Sequence, residues 1–301
     1  MKFFMKKAVI DIGSNSIKLI IGQLDEEVKI LLDTSEIVQI RKGFVNGGIS
    51  EEKMQQALKV ISEMVKKARE YGTESLQLVG TMALRQASNS DIFLRRVKDA
   101  TGLEIRILSG EEEANYSWKG AICDLGQCKK DIIMFDTGGG STEFVFGRGS
   151  EKIRSQSLPI GAITITEKFL GTGPISQSSI NNAMNYIKTL LAENNIASSS
   201  ESFVIGLGGG VTAMASVKTR EDHEKLHGTV LTREDILNQI KLYAPLTLEE
   251  RKKIPGLPPL RADVITSTAC TVLCILEALN SNSCTLSLNG LRHSLLRESF
   301  Q

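Results

Sequence analysis

The sequence predicts an α/β protein in which one domain plan is used twice. Three observations predict it. The chain has 301 residues, room for two domains of ordinary size. Its apolar runs order themselves as three extended segments followed by alternating helices and strands, and that order occurs twice. Finally, residues 9–22 (VIDIGSNSIKLIIG) align without gaps, at a constant offset of 125, with residues 134–147 of the run 132–147 (IIMFDTGGGSTEFVFG). That offset superposes Asp11 on Asp136, Gly13 on Gly138, Ser16 on Ser141 and Gly22 on Gly147. We read it as an internal duplication.

In each copy an apolar run ends in an aspartate, breaks into glycine and hydroxyl residues, and resumes. The pattern is that of a strand, a tight turn and a second antiparallel strand. Gly138, Gly139 and Gly140 permit backbone conformations closed to other residues and let a ligand touch the main chain. Their N–H groups, with the Ser141 and Thr142 hydroxyls, can converge on an anion. Asp136 and Glu143 put carboxylates on either side of that cradle. Phosphate beside carboxylate calls for a divalent cation, so Mg2+ is the expected cofactor. Two such hairpins facing each other would form a two-jawed phosphate clamp.

Composition narrows the class. A hydrophobic content of 41% and a charged content of 24% are those of a globular protein. A formal net charge of +1 gives no global field to recruit nucleic acid or a membrane, and neither is expected as a partner. Lys6, Lys7 and Asp11 interrupt any leader-like apolar core, and no apolar run reaches membrane-spanning length. Met5 offers an alternative start that would leave residues 1–4 as an extension. The five cysteines are odd in number and none form Cys-x-x-Cys, which reads as buried free thiols in a reducing cytoplasm. The histidines 223, 227 and 293 do not pair with cysteines at metal-site spacing.

Taken in order, residues 7–12 form the first strand, 17–23 the return strand and 28–39 a third, with Arg41 and Lys42 just beyond. Residues 43–48 are a loop. Ser50 caps a helix whose apolar residues Met54, Ala57, Leu58, Ile61, Val65 and Ala68 recur at helical spacing until Gly72 stops it. A strand over 76–81 leads to Arg85, a helix runs to about residue 100, and a strand follows over 103–108. Glu111, Glu112 and Glu113 then open a helix to about 123, where acidic residues complement the helix dipole. Residues 126–130 are a polar connector, which places the domain boundary between 125 and 126. The second half repeats the plan, with a strand over 152–158, helices over 162–170 and 176–194, and a serine-rich loop over 197–202. The strand over 203–206 enters a third glycine turn, Gly208 to Gly210, which reads either as an anion site at a helix start or as a close-packed junction. Helices from 232 and 247, a Pro-rich turn, a long apolar helix from 261 to 280, a strand over 285–288 and a final helix over about 290–301 complete the chain.

Seven motifs now stand in order: Asp11-Ile-Gly-Ser-Asn-Ser16, Thr81-x-Ala-Leu-Arg85, Ser109-Gly-x-Glu-Glu-Ala114, Asp136-x-Gly-Gly-Gly-Ser-Thr-Glu143, Gly208-Gly-Gly210, Arg261-Ala-Asp263 and Gly290-Leu-Arg292. Together they resemble the exopolyphosphatase / guanosine pentaphosphate phosphohydrolase (Ppx/GppA) family of the actin-like ATPase superfamily. The resemblance implies two ribonuclease-H-like domains, 1–125 and 126–301, with the site in an interdomain cleft and the final helix packed back on the first domain. It implies Glu113 as catalytic base, Asp136 and Glu143 as holders of metal and water, and phosphate on the glycines and serine of the hairpin. Thr137 departs from the family pattern, with little effect expected. Larger members continue into a further helical domain associated with gripping long chains, so this chain is expected to favour short polyphosphate or a nucleotide.

The residues suit water as the nucleophile, because no histidine or cysteine accompanies the glycine turns. Glu113, Glu143 and Asp136 are the catalytic candidates. Gly13, Ser14, Asn15, Arg85, Gly138, Gly139, Ser141, Gly208 and Gly209 are the phosphate-binding candidates, and Asp136, Glu143 and Asp11 the metal ligands. Arg85 is either a phosphate ligand or half of an ion pair. Arg261 and Arg292 either line the cleft or close helix-end salt bridges. The expected reaction is hydrolysis of the terminal phosphoanhydride of polyphosphate, with pppGpp hydrolysis to ppGpp, or non-catalytic (p)ppGpp sensing, as alternatives. The expected location is cytoplasmic and the expected assembly a homodimer.

Overall fold

The computed structural model describes residues 5–123, 131–198 and 202–301. The chain divides into two compact units, 1–120 with 289–301, and 121–288. The expected boundary between residues 125 and 126, the polar connector, Cys128, residues 1–4 and the centre of the serine-rich loop lie outside the described residues.

The first unit is built on β1 (Lys6–Ile12), β2 (Ser16–Leu24), β3 (Val28–Ile37), a two-residue pair β4 (Phe44–Val45) and β5 (Gly48–Ile49), α1 (Glu51–Glu70), β6 (Ser75–Gly80), α2 (Met82–Gln86), α3 (Ser90–Thr101), β7 (Ile105–Ile107) and α4 (Gly110–Ile122). The second is built on β8 (Asp131–Thr137), β9 (Thr142–Arg148), β10 (Glu151–Leu158), α5 (Ala162–Ile165), α6 (Gln177–Glu193), β11 (Phe203–Leu207), α7 (Gly209–Thr219), β12 (Val230–Thr232), α8 (Arg233–Tyr243), α9 (Leu248–Arg251), α10 (Ile265–Ala278) and β13 (Ser283–Leu286). The last helix, α11 (Leu291–Ser299), belongs to the first unit.

The sheets share one plan. The first has the order β3-β2-β1-β6-β7, and the second the order β10-β9-β8-β11-β13 with β12 added at its edge. In each, the first three strands are antiparallel neighbours and the rest of the core runs parallel to the first strand. This is the ribonuclease-H-like arrangement, present twice. A parallel core needs cover on both faces, and β1 shows why. Ile10 and Ile12 point into a core with Ile61, Val65, Phe93 and Val97, whereas Val9 points to the other face with Leu108, Tyr116, Leu295 and Leu296. Helices α1 and α3 thus cover one face, and α4 and α11 the other.

Local signals account for most boundaries. The Ser50 side chain caps α1, and Gly72 takes the left-handed backbone that stops it. Ser176, Thr232 and Thr247 cap α6, α8 and α9. The third strand ends at Ile37, two residues earlier than the sequence suggests, because Gln39 turns left-handed with φ of 56°. The expected loop over 43–48 contains the small β4–β5 hairpin. Cys270, Cys274 and Cys284 are buried thiols, but Cys123 is exposed. Among the described residues no helix is long and apolar enough to cross a membrane.

Arg292 forms a two-pronged ion pair with Asp33, Nε to Oδ1 at 3.0 Å and Nη2 to Oδ2 at 2.8 Å. His293 adds a contact from Nε2 to Asp33 Oδ2 at 3.3 Å. Burial alone would raise the Asp33 carboxyl, but these partners hold it well below the usual carboxylate range. The helix-end reading of Arg292 is therefore the one realised.

Close approach of α4 to the start of α11 gives a test. A Cβ on Gly120 would run into the backbone of Gly290. Gly120→Ala should therefore lower the Tm, although an alanine within a helix ordinarily adds about 1 kcal/mol over glycine. A variant with unchanged or raised Tm in thermal unfolding would refute this packing.

Candidate active site

Ligands of open α/β sheets bind beyond the carboxyl ends of the parallel strands. In the first unit β1, β6 and β7 end in turn at the 13–15 loop, at α2 with Arg85, and at α4 with Glu113. In the second, β8 and β11 end at the 138–141 loop and at the third glycine turn.

The two loops are built alike. Gly13 N–H donates to the Ser16 carbonyl at 3.0 Å, and Gly138 N–H donates to the Ser141 carbonyl at 2.9 Å. In both, the outward carbonyls are tied down by another segment. Ala162 and Ile163 N–H at the start of α5 donate to the Gly138 and Gly139 carbonyls, and Thr164 Oγ1 donates to the Gly140 carbonyl. In the first unit Arg41 N–H donates to the Ser14 carbonyl, and Val38 and Gln39 N–H both donate to the Asn15 carbonyl. The N–H groups of Ser14, Asn15, Gly139 and Gly140 have no hydrogen-bond acceptor among the described residues. Each loop is a cradle of unused donors whose acceptors are occupied, which suits an anion. Gly161 makes the second cradle possible, since a Cβ there would collide with the backbone of residues 139–141.

The copies differ in charge at one cross-strand pair. Asp11 lies opposite Lys18, whose ammonium is 3.8 Å from Oδ2. Asp136 lies opposite Glu143, so two carboxylates share that position. Burial pushes the Glu143 carboxyl up to about 7, and Asp136 adds to the rise. The Ser141 and Ser157 hydroxyls, donating to Oε1 at 2.5 and 2.9 Å, oppose it. Among the described residues Asp11 Oδ1 is buried without a hydrogen-bond partner, as is Thr137 Oγ1.

Glu113 stands in the first turn of α4, partly exposed. Arg85 Nη1 donates to its Oε2 at 2.8 Å and to the Leu108 carbonyl at 2.7 Å. This ion pair joins two residues that the sequence singled out separately. Glu112 is occupied otherwise: Ser109 N–H donates to its Oε2, its own N–H returns to Ser109 Oγ, and Arg106 pairs with its side chain. That reciprocal cap fixes the start of α4 and with it Glu113. In the third glycine turn Gly208 has φ of 107°, and a Cβ on Gly209 would strike the Arg261 guanidinium. Packing accounts for these two glycines. Among the described residues no three His, Cys, Asp or Glu side chains gather as a ready metal cluster.

Sequence reasoning missed Ser157, Gly161, Thr164 and the 38–41 segment. The reciprocal cap of Ser109 and Glu112 was missed too, although the Ser-x-x-Glu spacing carries its signal.

A ribonuclease-H-like plan present twice, each copy with its own glycine loop, defines a two-domain α/β protein. Residues 19–301 match the model of the Ppx/GppA phosphatase family. The chain belongs to this family. It is 32% identical over 275 residues, 86% of its length, to a bifunctional 3-dehydroquinate synthase/phosphatase of Fusobacterium nucleatum, covering 41% of that protein. It is 30% identical over 296 residues, 97% of its length, to a guanosine-5'-triphosphate,3'-diphosphate pyrophosphatase of Vibrio atlanticus, covering 58% of it. The chain thus spans about half the length of these relatives. Among solved structures, an Aquifex aeolicus Ppx/GppA family member superposes with a TM-score of 0.85 at 30% identity, over 99% of this chain and 98% of that one. A Cytophaga hutchinsonii exopolyphosphatase superposes with a TM-score of 0.88 at 25% identity, over 97% and 96%.

The Glu143 carboxyl titrates above its unfolded value, so its contribution to stability is present below about pH 4.5 and is lost as pH rises through about 7. Without divalent cations, Glu143→Gln should therefore raise the Tm relative to the wild type at pH 8, and the gap should close at pH 5. Equal Tm values at pH 8 would show that the pair is not strained.

Proposed function

We propose that the chain removes the terminal phosphate of inorganic polyphosphate by direct attack of water. The observation that carries this reading is Glu113, held by Arg85 at the same sheet end as a loop of unused backbone donors. Ser14 and Asn15 bind phosphate oxygens through those donors, and Gly13 closes the turn that presents them. In its own unit the 138–141 cradle does the same through the Gly139 and Gly140 N–H groups, with the Gly138–Ser141 bond closing the turn. Glu113 takes a proton from water as the water oxygen bonds to phosphorus, and the bridging oxygen leaves with its electron pair on the shortened chain. General-base catalysis of this kind contributes about 10²–10⁴-fold. Arg85 keeps Glu113 oriented and turns its remaining N–H groups to phosphate oxygens. Gly208 and Gly209 form a rim to the second cradle.

Mg2+ fits the second unit, where Asp136 and Glu143 are cross-strand neighbours. Mg2+ is commonly held by one or two carboxylates plus substrate phosphates, so a complete protein cage is not required. Asp136 and Glu143 would hold it. When bound, it supplies charge neutralisation at the phosphate oxygens. The name of the Vibrio relative supports a second reading, hydrolysis of pppGpp to ppGpp by the same residues.

Glu113→Gln should lower orthophosphate release from tripolyphosphate at least about 100-fold. Its affinity for tripolyphosphate in calorimetry should stay within about threefold. Near-normal turnover would remove Glu113 from the role of base. Asp136→Ala should shift the Mg2+ dependence of release to higher concentration, and an unchanged Mg2+ titration would count against a metal at this pair.

A further inference from the structure

The two cradles are anchored differently. The second is tied down by α5, whose residues Ala162, Ile163, Thr164 and Ile165 carry no charge. The first is tied down by residues 38–41, and this anchor ends in Arg41. Gln39 takes a left-handed backbone, which lets Val38 and Gln39 N–H converge on one carbonyl, that of Asn15, at 3.0 and 2.8 Å. Arg41 N–H then reaches the Ser14 carbonyl at 3.1 Å. Three backbone bonds thus fix the base of the Arg41 side chain to the cradle itself. Its guanidinium Nη1 donates to Gln86 Oε1. Gln86 adjoins Arg85, the partner of Glu113. Arg41 is therefore a cation whose backbone is tied to the cradle and whose guanidinium is held by Gln86, the residue after Arg85. One contact to Gln86 uses one of its five N–H donors. A fork of that kind suits two oxygens of one phosphate.

We propose that Arg41 binds a phosphate of the substrate other than the terminal one, so that the first cradle grips an oligophosphate chain at two consecutive groups. This rests on the phosphohydrolase reading and names what that site selects: a chain of phosphates over a lone phosphate. The Arg41→Ala variant keeps the backbone bond to Ser14, so the cradle persists when the guanidinium is removed.

The test compares tripolyphosphate with orthophosphate on the full chain in the presence of Mg2+. Arg41→Ala should raise the KM for tripolyphosphate about 10- to 100-fold, the range of a lost charge-assisted pair. Inhibition by orthophosphate should move by less than about twofold. Arg41→Lys should recover part of the loss, because charge returns without the fork. Equal KM values in wild type and Arg41→Ala, with the wild type releasing orthophosphate, would overturn the role of Arg41 and leave the hydrolase reading standing. A parallel loss of affinity for orthophosphate and tripolyphosphate would also overturn it, since Arg41 would then serve the terminal group or the fold. A folded wild type that neither binds nor hydrolyses tripolyphosphate would overturn both.

Discussion

The structure depends on a turn of the main chain with its acceptors used and its donors spare. In each unit an antiparallel pair pivots at the carboxyl end of a parallel sheet. One bond, Gly13 N–H to Ser16 or Gly138 N–H to Ser141, closes the pivot. A neighbouring segment then occupies the carbonyls of the loop. A peptide carbonyl facing a phosphate would repel it, so tying the carbonyls back is as important as leaving the N–H groups open. Glycine matters where the backbones must approach, as Gly161 does behind residues 139–141.

Duplication supplied two such turns, and substitution separated their chemistry. The cross-strand partner of the aspartate is Lys18 in one copy and Glu143 in the other. The first copy therefore sets an ammonium opposite its aspartate, and the second sets a carboxylate there that accepts from the Ser141 and Ser157 hydroxyls. Burial, with a smaller contribution from Asp136, raises the Glu143 carboxyl. The anchors have diverged in the same way: an uncharged helix start holds the second loop and a basic turn the first.

The duplication was legible because it is local: an aspartate, a glycine turn and alternating strands can be read along the chain. So were α1, from its spacing and its Ser50 cap, and the caps of α6, α8 and α9. What was not legible depends on residues distant in sequence. Nothing in the sequence links Arg41 to Ser14, Ser157 to Glu143 or Asp33 to Arg292, since each link exists only once the strands are in register. Arg85 and Glu113 were both singled out, but their pairing required β6 and β7 to lie side by side. The small β4–β5 hairpin was read as loop because two-residue strands carry no periodicity.

The central claim is that these turns serve phosphoanhydride hydrolysis. It is tested most directly by measuring orthophosphate release with Mg2+ from tripolyphosphate, long-chain polyphosphate, pppGpp and ATP under one set of conditions. Release from the polyphosphates, and little from ATP, is the predicted result. Absence of release from all four by the folded protein, with Glu113 and both loops intact, would contradict it.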